Sequence, residues 1–142
     1  MASAITRMVP QIQKGEKVRL FKSTAPARFS DGEQKRDFIY VKDAVRMACA
    51  FLDNDAGGIY NIGSGKASTW NELALAVYRA LDRPSQIEYI DMPPELVNKY
   101  QNYSCADMSK SGTVLKEEIN CMPLEDSVAD YVRNYLVPGK TW

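Results

Sequence analysis

The chemistry open to this chain begins with the side chains that can grip an anion. Arg36 heads a β-prone run over 36–41, and a guanidinium fork there can hold two phosphate oxygens at once. Lys22, Ser23 and Thr24 stand at the end of an earlier run, 17–21, in which polar and apolar residues alternate. If the two runs pair as strands, Arg36 and the 22–24 cluster converge at one mouth and make an anion site. Tyr100-Gln101-Asn102-Tyr103, beyond the break at Pro93-Pro94, adds amphipathic rings suited to stacking on a base and bonding to phosphate.

Other motifs carry less. Gly63-Ser64-Gly65-Lys66 invites a phosphate-loop reading, but Tyr60 stands where the pattern needs its first Gly and Ala67 where it needs Ser or Thr. No G-x-G-x-x-G occurs either, so this run reads as a strand-to-helix turn. Glu117-Glu118 and Glu125-Asp126 are adjacent pairs whose side chains diverge on a helix, and the second pair suits a helix start. Cys49, Cys105 and Cys121 form no Cys-x-x-Cys pair and read as plain buried or half-buried thiols in a reducing cytoplasm. Histidine is absent, which excludes Ser-His-Asp and Cys-His catalysis and His-ligated metal; no metal site is expected.

The elements that must position these groups follow from periodicity. Ile5, Met8, Val9 and Ile12 make one stripe of a helix over 2–14, bent or shortened by Pro10 and stopped at Gly15. Strands are expected at 17–21 and 36–41, with loop chemistry between them. Asp43 is placed to cap a helix over about 44–53, with Val45, Ala48, Cys49 and Leu52 as its stripe. A short strand at 59–62 follows the Gly57-Gly58 break. Thr69-Trp70-Asn71-Glu72 is a capping box, and the helix it opens carries Trp70, Leu73, Ala74, Val77, Tyr78 and Leu81 on one face. A strand at 87–90, a short helix within 107–115 and a last helix after Pro123 complete the order. Helix–strand–helix–strand over 43–90 belongs to a parallel α/β sheet, yet two such strands make a poor one. A piece of a larger α/β structure is expected.

Composition agrees with one globular domain: 142 residues, 45% hydrophobic, 25% charged. The net charge of +0 argues against a nucleic-acid or membrane-surface binder, and no run of apolar residues is long enough to span a bilayer. The start carries polar residues too early for a secretory leader. Charge is uneven, however. Residues 1–36 hold eight Lys/Arg against three acids, a net of +5, so an anionic ligand is sought in the first third.

Two blocks then carry a resemblance. Lys35-Arg36-Asp37-Phe38-Ile39-Tyr40-Val41-Lys42-Asp43 resembles the Arg-Asp-Phe-x-Tyr-Val-x-Asp block of extended short-chain dehydrogenase/reductases acting on nucleotide sugars, and Gly58-Ile59-Tyr60-Asn61-Ile62-Gly63-Ser64-Gly65 resembles their next block. Met1-Ala2-Ser3, Leu20-Phe21, Gln86-Ile87-Glu88-Tyr89-Ile90 and Lys99-Tyr100-Gln101 leading to Ala106-Asp107 are similar to the C-terminal part of the ADP-L-glycero-D-manno-heptose 6-epimerase family.

That resemblance implies an enzyme using tightly held NADP to invert carbon 6 of the heptose, for a lipopolysaccharide precursor, and assembling as homo-oligomers, typically pentamers. It implies an N-terminal Rossmann half with a Gly-rich loop and a Tyr-x-x-x-Lys pair; none of the eight tyrosines here is followed by Lys at that spacing. The expectation is an α/β substrate-binding part with a small mixed sheet and about five helices, the Rossmann half absent. It should bind no NADP alone, carry no catalytic residue and be inactive by itself. Phe21, Lys22, Ser23 and Thr24 match the family's ADP-contacting segment, Arg36 its phosphate-binding Arg and Tyr100 its nucleotide-contacting Tyr. Arg7 falls where members often carry a substrate-contacting His. The rivals are a non-catalytic nucleotide-sugar-binding or oligomerisation module, or part of another nucleotide-sugar epimerase or dehydratase.

Overall fold

The computed structural model describes residues 3–53 and 55–140. In chain order the elements are α1 (Ala4–Gln13), β1 (Val18–Phe21), β2 (Lys35–Asp37), α2 (Val41–Ala50), β3 (Ala67–Thr69), α3 (Trp70–Ala80), β4 (Ile87–Ile90), α4 (Pro94–Val97), α5 (Ser109–Leu115) and α6 (Leu124–Tyr131). The class is α/β with six α-helices among the described residues; single-turn α4 and three-residue β3 are the additions to the expected order.

The strands divide into two pairs. β1 runs parallel to β4, Val18 opposite Ile87 through Phe21 opposite Ile90. β2 runs antiparallel to β3, Lys35 opposite Thr69 and Arg36 opposite Ser68. The runs 17–21 and 36–41, whose pairing is the condition for one shared mouth, therefore do not pair with each other. The second is also cut to Lys35–Asp37, because Tyr40 adopts an extended conformation as the N-cap of α2 and helix begins at Val41. Asp43 is consequently inside the first turn, not at the cap; its carboxylate accepts from Arg46 Nη2 at 2.9 Å and Met122 N at 3.0 Å.

The core sits between α1, β1, α3 and α6. Met8, Val9 and Ile12 of α1 meet Val18 and Leu20, Leu73, Ala74 and Val77 of α3, and Val128 and Val132, all buried. Removing each large aliphatic side chain from water contributes about 1.5–3 kcal/mol. The capping box forms as read: Glu72 N donates to Thr69 Oγ1 at 3.0 Å and Thr69 N to Glu72 Oε2 at 2.6 Å. At the far end of α3, Arg133 Nε donates to the Ala80 carbonyl at 2.8 Å, on the π-helical turn that follows α6, and so satisfies an otherwise orphan acceptor.

Segment 41–63 departs from its pattern. The stripe expected to bury over 44–53 faces water: Val45 on α2 is 54% and Leu52, in the turn just beyond it, 83% exposed, while Asp43 and Met47 are buried. Cys49, expected inside, is exposed with them. Residues 59–62 form no strand, and Ile59 is 89% exposed. Helix α5 takes up their carbonyls instead, Lys110 Nζ donating to Ile59 O at 2.8 Å and Ser111 Oγ to Asn61 O at 2.5 Å.

Candidate functional site

β2 lies between two neighbours. β3 flanks it on one side, and residues 102–104 run along the other, Lys35 N donating to Asn102 O at 2.9 Å and Ser104 N to Lys35 O at 3.2 Å. This second pairing fixes Tyr100, just upstream, against the strand that carries Arg36. The Arg36 guanidinium carbon sits 4.9 Å from the Tyr100 ring centroid, a cation–π contact, while Nη1 donates to the Lys35 carbonyl at 2.8 Å. Phe21, the last residue of β1, meets the same ring edge-on with centroids 6.1 Å apart. Phe21, Arg36 and Tyr100 thus converge although β1 and β2 do not pair.

Buried Gln34, 1% exposed, makes the convergence possible. Its Nε2 donates to the carbonyls of Lys22 at 3.1 Å and Phe21 at 3.4 Å, tying the end of β1 to the start of β2. The loop between them closes on itself, with Ser23 N donating to Asp31 Oδ1 at 2.8 Å and Ala25 N to Ser23 Oγ at 3.1 Å. Gly32 takes φ +72° where the loop passes Asn71, and any Cβ there would collide with that side chain. Lys22 reaches outward to Asp91 at 3.0 Å, and this hydrogen-bonded charge raises its pKa above the ordinary lysine value. Thr24 is half-buried beside Ser23. Arg7 stands exposed on α1, with no contact to the Arg36 cluster among the described residues.

Burial pushes the Tyr100 phenol above its usual pKa, against the opposing pull of the Arg36 charge and the nearby Trp70 indole N–H. The phenol therefore stays protonated and can donate to a phosphate oxygen while Arg36 supplies the charge. Trp70, first residue of α3, packs edge-on to Phe38 at 5.2 Å. Phe38 and Trp70, with Ile5, Tyr40, Leu124 and Tyr131, also line a cavity of about 520 Å³. At its edge Tyr40 Oη and Lys42 Nζ both donate to Asp130 Oδ2, at 2.6 and 2.7 Å. The Lys42 bond, then that from Tyr40, holds the Asp130 carboxyl down at about 2. Burial and the Asp130 contact push the Tyr40 phenol up to about 12.

Asp37 is the residue whose role sequence reading did not assign. Its carboxylate accepts from Ser64 N at 2.7 Å, Ser64 Oγ at 2.5 Å, Gly65 N at 3.1 Å and Ala106 N at 2.9 Å. Burial raises its pKa, but the hydrogen bonds outweigh burial and hold the carboxyl below its ordinary value. A Cβ on Gly63 would strike both Ala106 and this carboxylate, so glycine is required by close approach. Proximity of its two sequence blocks was the only signal that could have linked Asp37 to the turn. The turn's N–H groups are consequently spent on Asp37 and do not fit a dinucleotide phosphate. Among the described residues no three His, Cys, Asp or Glu side chains gather as metal ligands, and no helix is long and apolar enough to cross a membrane.

The model of the NAD dependent epimerase/dehydratase family matches residues 1–63. An ADP-L-glycero-D-manno-heptose-6-epimerase of Nitratidesulfovibrio vulgaris strain DP4 is 46% identical over 140 residues, covering 96% of this chain and 42% of the relative. The first 63 residues of this chain match that family's model, and nearly the whole chain is similar to a curated epimerase. The chain spans about two fifths of the length of the curated relatives it matches. The fold is shared with solved epimerases. The Helicobacter pylori ADP-L-glycero-D-manno-heptose-6-epimerase superposes with TM-score 0.74 at 22% identity, over 94% of this chain and 38% of that one. A Bacillus cereus UDP-glucuronic acid 4-epimerase, solved with UDP-glucuronic acid and NAD, gives TM-score 0.72 at 21% identity, over 93% and 40%.

Proposed function

We propose that this chain is the nucleotide-sugar-gripping portion of an ADP-heptose 6-epimerase, the isomerase acting with NADP in making a lipopolysaccharide core precursor. The carrying observation is the convergence of Phe21, Arg36 and Tyr100 from three separate segments, in a chain 46% identical to a relative of that name. Arg36 and Tyr100 hold the pyrophosphate, Phe21 and residues Lys22, Ser23 and Thr24 border the ADP, and Arg7 is a peripheral cation toward the substrate. Binding energy from this remote nucleotide orients the reacting sugar carbon, which is how a group far from the chemistry raises its rate.

Hydride transfer and proton movement fall to a dinucleotide-binding half outside these residues. The outward stripe of α2 and the unpaired 59–62 run support its docking here, since an apolar helix face and a β-prone segment both ask for a sheet. The same face supports the alternative of an oligomerisation module. By resemblance the whole enzyme is a cytoplasmic homo-oligomer that binds neither nucleic acid nor membrane.

Calorimetric titration with ADP, UDP and GDP tests the reading. Preference for ADP is expected, and the chain alone with NADP and ADP-heptose should show no epimerisation. Preference for UDP overturns the heptose assignment, and epimerisation by the chain alone overturns the division of labour.

A further inference from the structure

The loop of residues 22–33 leaves β1 beside Phe21 and returns to β2, and one side chain outside it fixes its returning arm. Asn71, second residue of α3, donates from Nδ2 to the Asp31 carbonyl at 3.0 Å and to Glu33 Oε1 at 2.8 Å. Its backbone N–H donates to Gly32 O at 3.0 Å. Its Oδ1 accepts from Tyr89 Oη at 3.1 Å, and Tyr89 stands opposite Leu20 in the β1–β4 pair. The amide has one workable orientation, because turned over it would set Oδ1 against two acceptors. Gly32, at φ +72°, packs so closely on this amide that a Cβ there would collide with Oδ1. The Thr69–Glu72 box already caps α3, so the helix itself does not call for an amide at this position.

The hold passes on into the site. Asp31, fixed through its carbonyl by Asn71, accepts from Ser23 N through Oδ1 at 2.8 Å. Asn71 to Asp31 and Asp31 to Ser23 thus link the first turn of α3 to the departing arm of the loop, without using Arg36 or Tyr100. We propose that Asn71 is a positioning residue of the nucleotide site: through Asp31 it holds Ser23, with its neighbours Lys22 and Thr24, in place beside Phe21, so that ADP meets a loop already in order. Asn71 touches no ligand atom and acts through the loop. A loop fixed beforehand spares the ligand the cost of ordering it, which would otherwise be subtracted from the affinity. This rests on the nucleotide-binding reading above.

The probe is ADP, titrated by calorimetry, with amide hydrogen exchange as the second readout. Asn71→Ala should raise the dissociation constant about three- to tenfold, the worth of one net hydrogen bond. In the ligand-free variant the Ser23 N–H should exchange faster, while the amides of α3 keep their protection because Ala is the stronger helix former. Asp31→Ala cuts the same path inside the loop and should reproduce both effects. In that background Asn71→Ala should weaken ADP binding no further. If Asn71→Ala does not fold, Tyr89→Phe, which keeps the ring and only frees the amide, should still raise the dissociation constant about twofold; unchanged binding there overturns the inference. ADP binding that is lost on Arg36→Ala but unchanged by Asn71→Ala overturns it and leaves the site reading intact. Weakening that adds in full to that of Asp31→Ala, or faster exchange throughout α3, reduces Asn71 to a packing role and also overturns it. Absence of ADP binding by the unsubstituted chain removes the site reading and this inference together.

Discussion

The core of α1, β1, α3 and α6 and the segment 41–63 obey the same sequence rules with opposite results. In the first, every apolar stripe finds a partner: Met8, Val9 and Ile12 close on Leu73, Ala74 and Val77, and each is buried. In the second, an equally regular stripe on α2 points to water, and a β-prone run lies unpaired with Ile59 exposed. A hydrophobic pattern records what an element is meant to touch, and a structure records what is there to be touched. The core is closed by its own neighbours, whereas the apolar side chains of 41–63 face water among the described residues.

The contrast is broken most sharply by truncation. Leu73→Ala removes a fully buried side chain and should cost about 2–5 kcal/mol in urea denaturation. The opposite outcome, a loss under 1 kcal/mol as for a surface site, would dissolve the distinction. Asp37→Asn comes next, since it weakens four hydrogen bonds that join β2 to the glycine turn and to Ala106; a loss of about 1–3 kcal/mol is expected. The sign of its pH dependence follows from the lowered folded-state pKa. Stability from Asp37 is fully present above the ordinary carboxyl value of 3.8 and drains away as pH falls through the folded value. Asp130, held at about 2 by Lys42 and Tyr40, adds a loss in the same direction between 3.8 and about 2. An acid titration of the unfolding midpoint reads both, and Asp37→Asn should flatten part of it.

Thr69→Ala sharpens the comparison at a smaller scale, with about 1 kcal/mol lost from the cap of α3 in thermal unfolding. Val45→Ser on the exposed stripe should change stability by less than about 0.5 kcal/mol. It should nevertheless reduce self-association by light scattering, since the apolar face is what copies would share.

Legibility in the sequence follows the same division. α3 was readable to the residue at its start, because Thr69 and Glu72 fix the cap locally and the stripe below it buries against neighbours in this chain. An equally good stripe predicts the helix at 44–53, but the same local rules put Asp43 at its cap. No local rule announces that this carboxylate instead holds Arg46 and Met122 N. The strand at 59–62 was legible as a tendency only; a strand is a pairing, and its partner is not local. Residue type and resemblance point to Arg36 and Tyr100, but their meeting depends on the 102–104 pairing that nothing in either motif states. Gln34 and Asp37 escaped notice because a buried polar side chain that stitches loops leaves no periodic trace.

The central claim is that the aromatic and cationic cluster, not the apolar face, is the ligand site. Titrating ADP into the unsubstituted chain, Arg36→Ala and Val45→Ser by calorimetry tests it most directly. Loss of a charged hydrogen bond at Arg36 should weaken binding about 10- to 100-fold, while Val45→Ser binds as the unsubstituted chain does. Equal affinity for Arg36→Ala and the unsubstituted chain would contradict the account.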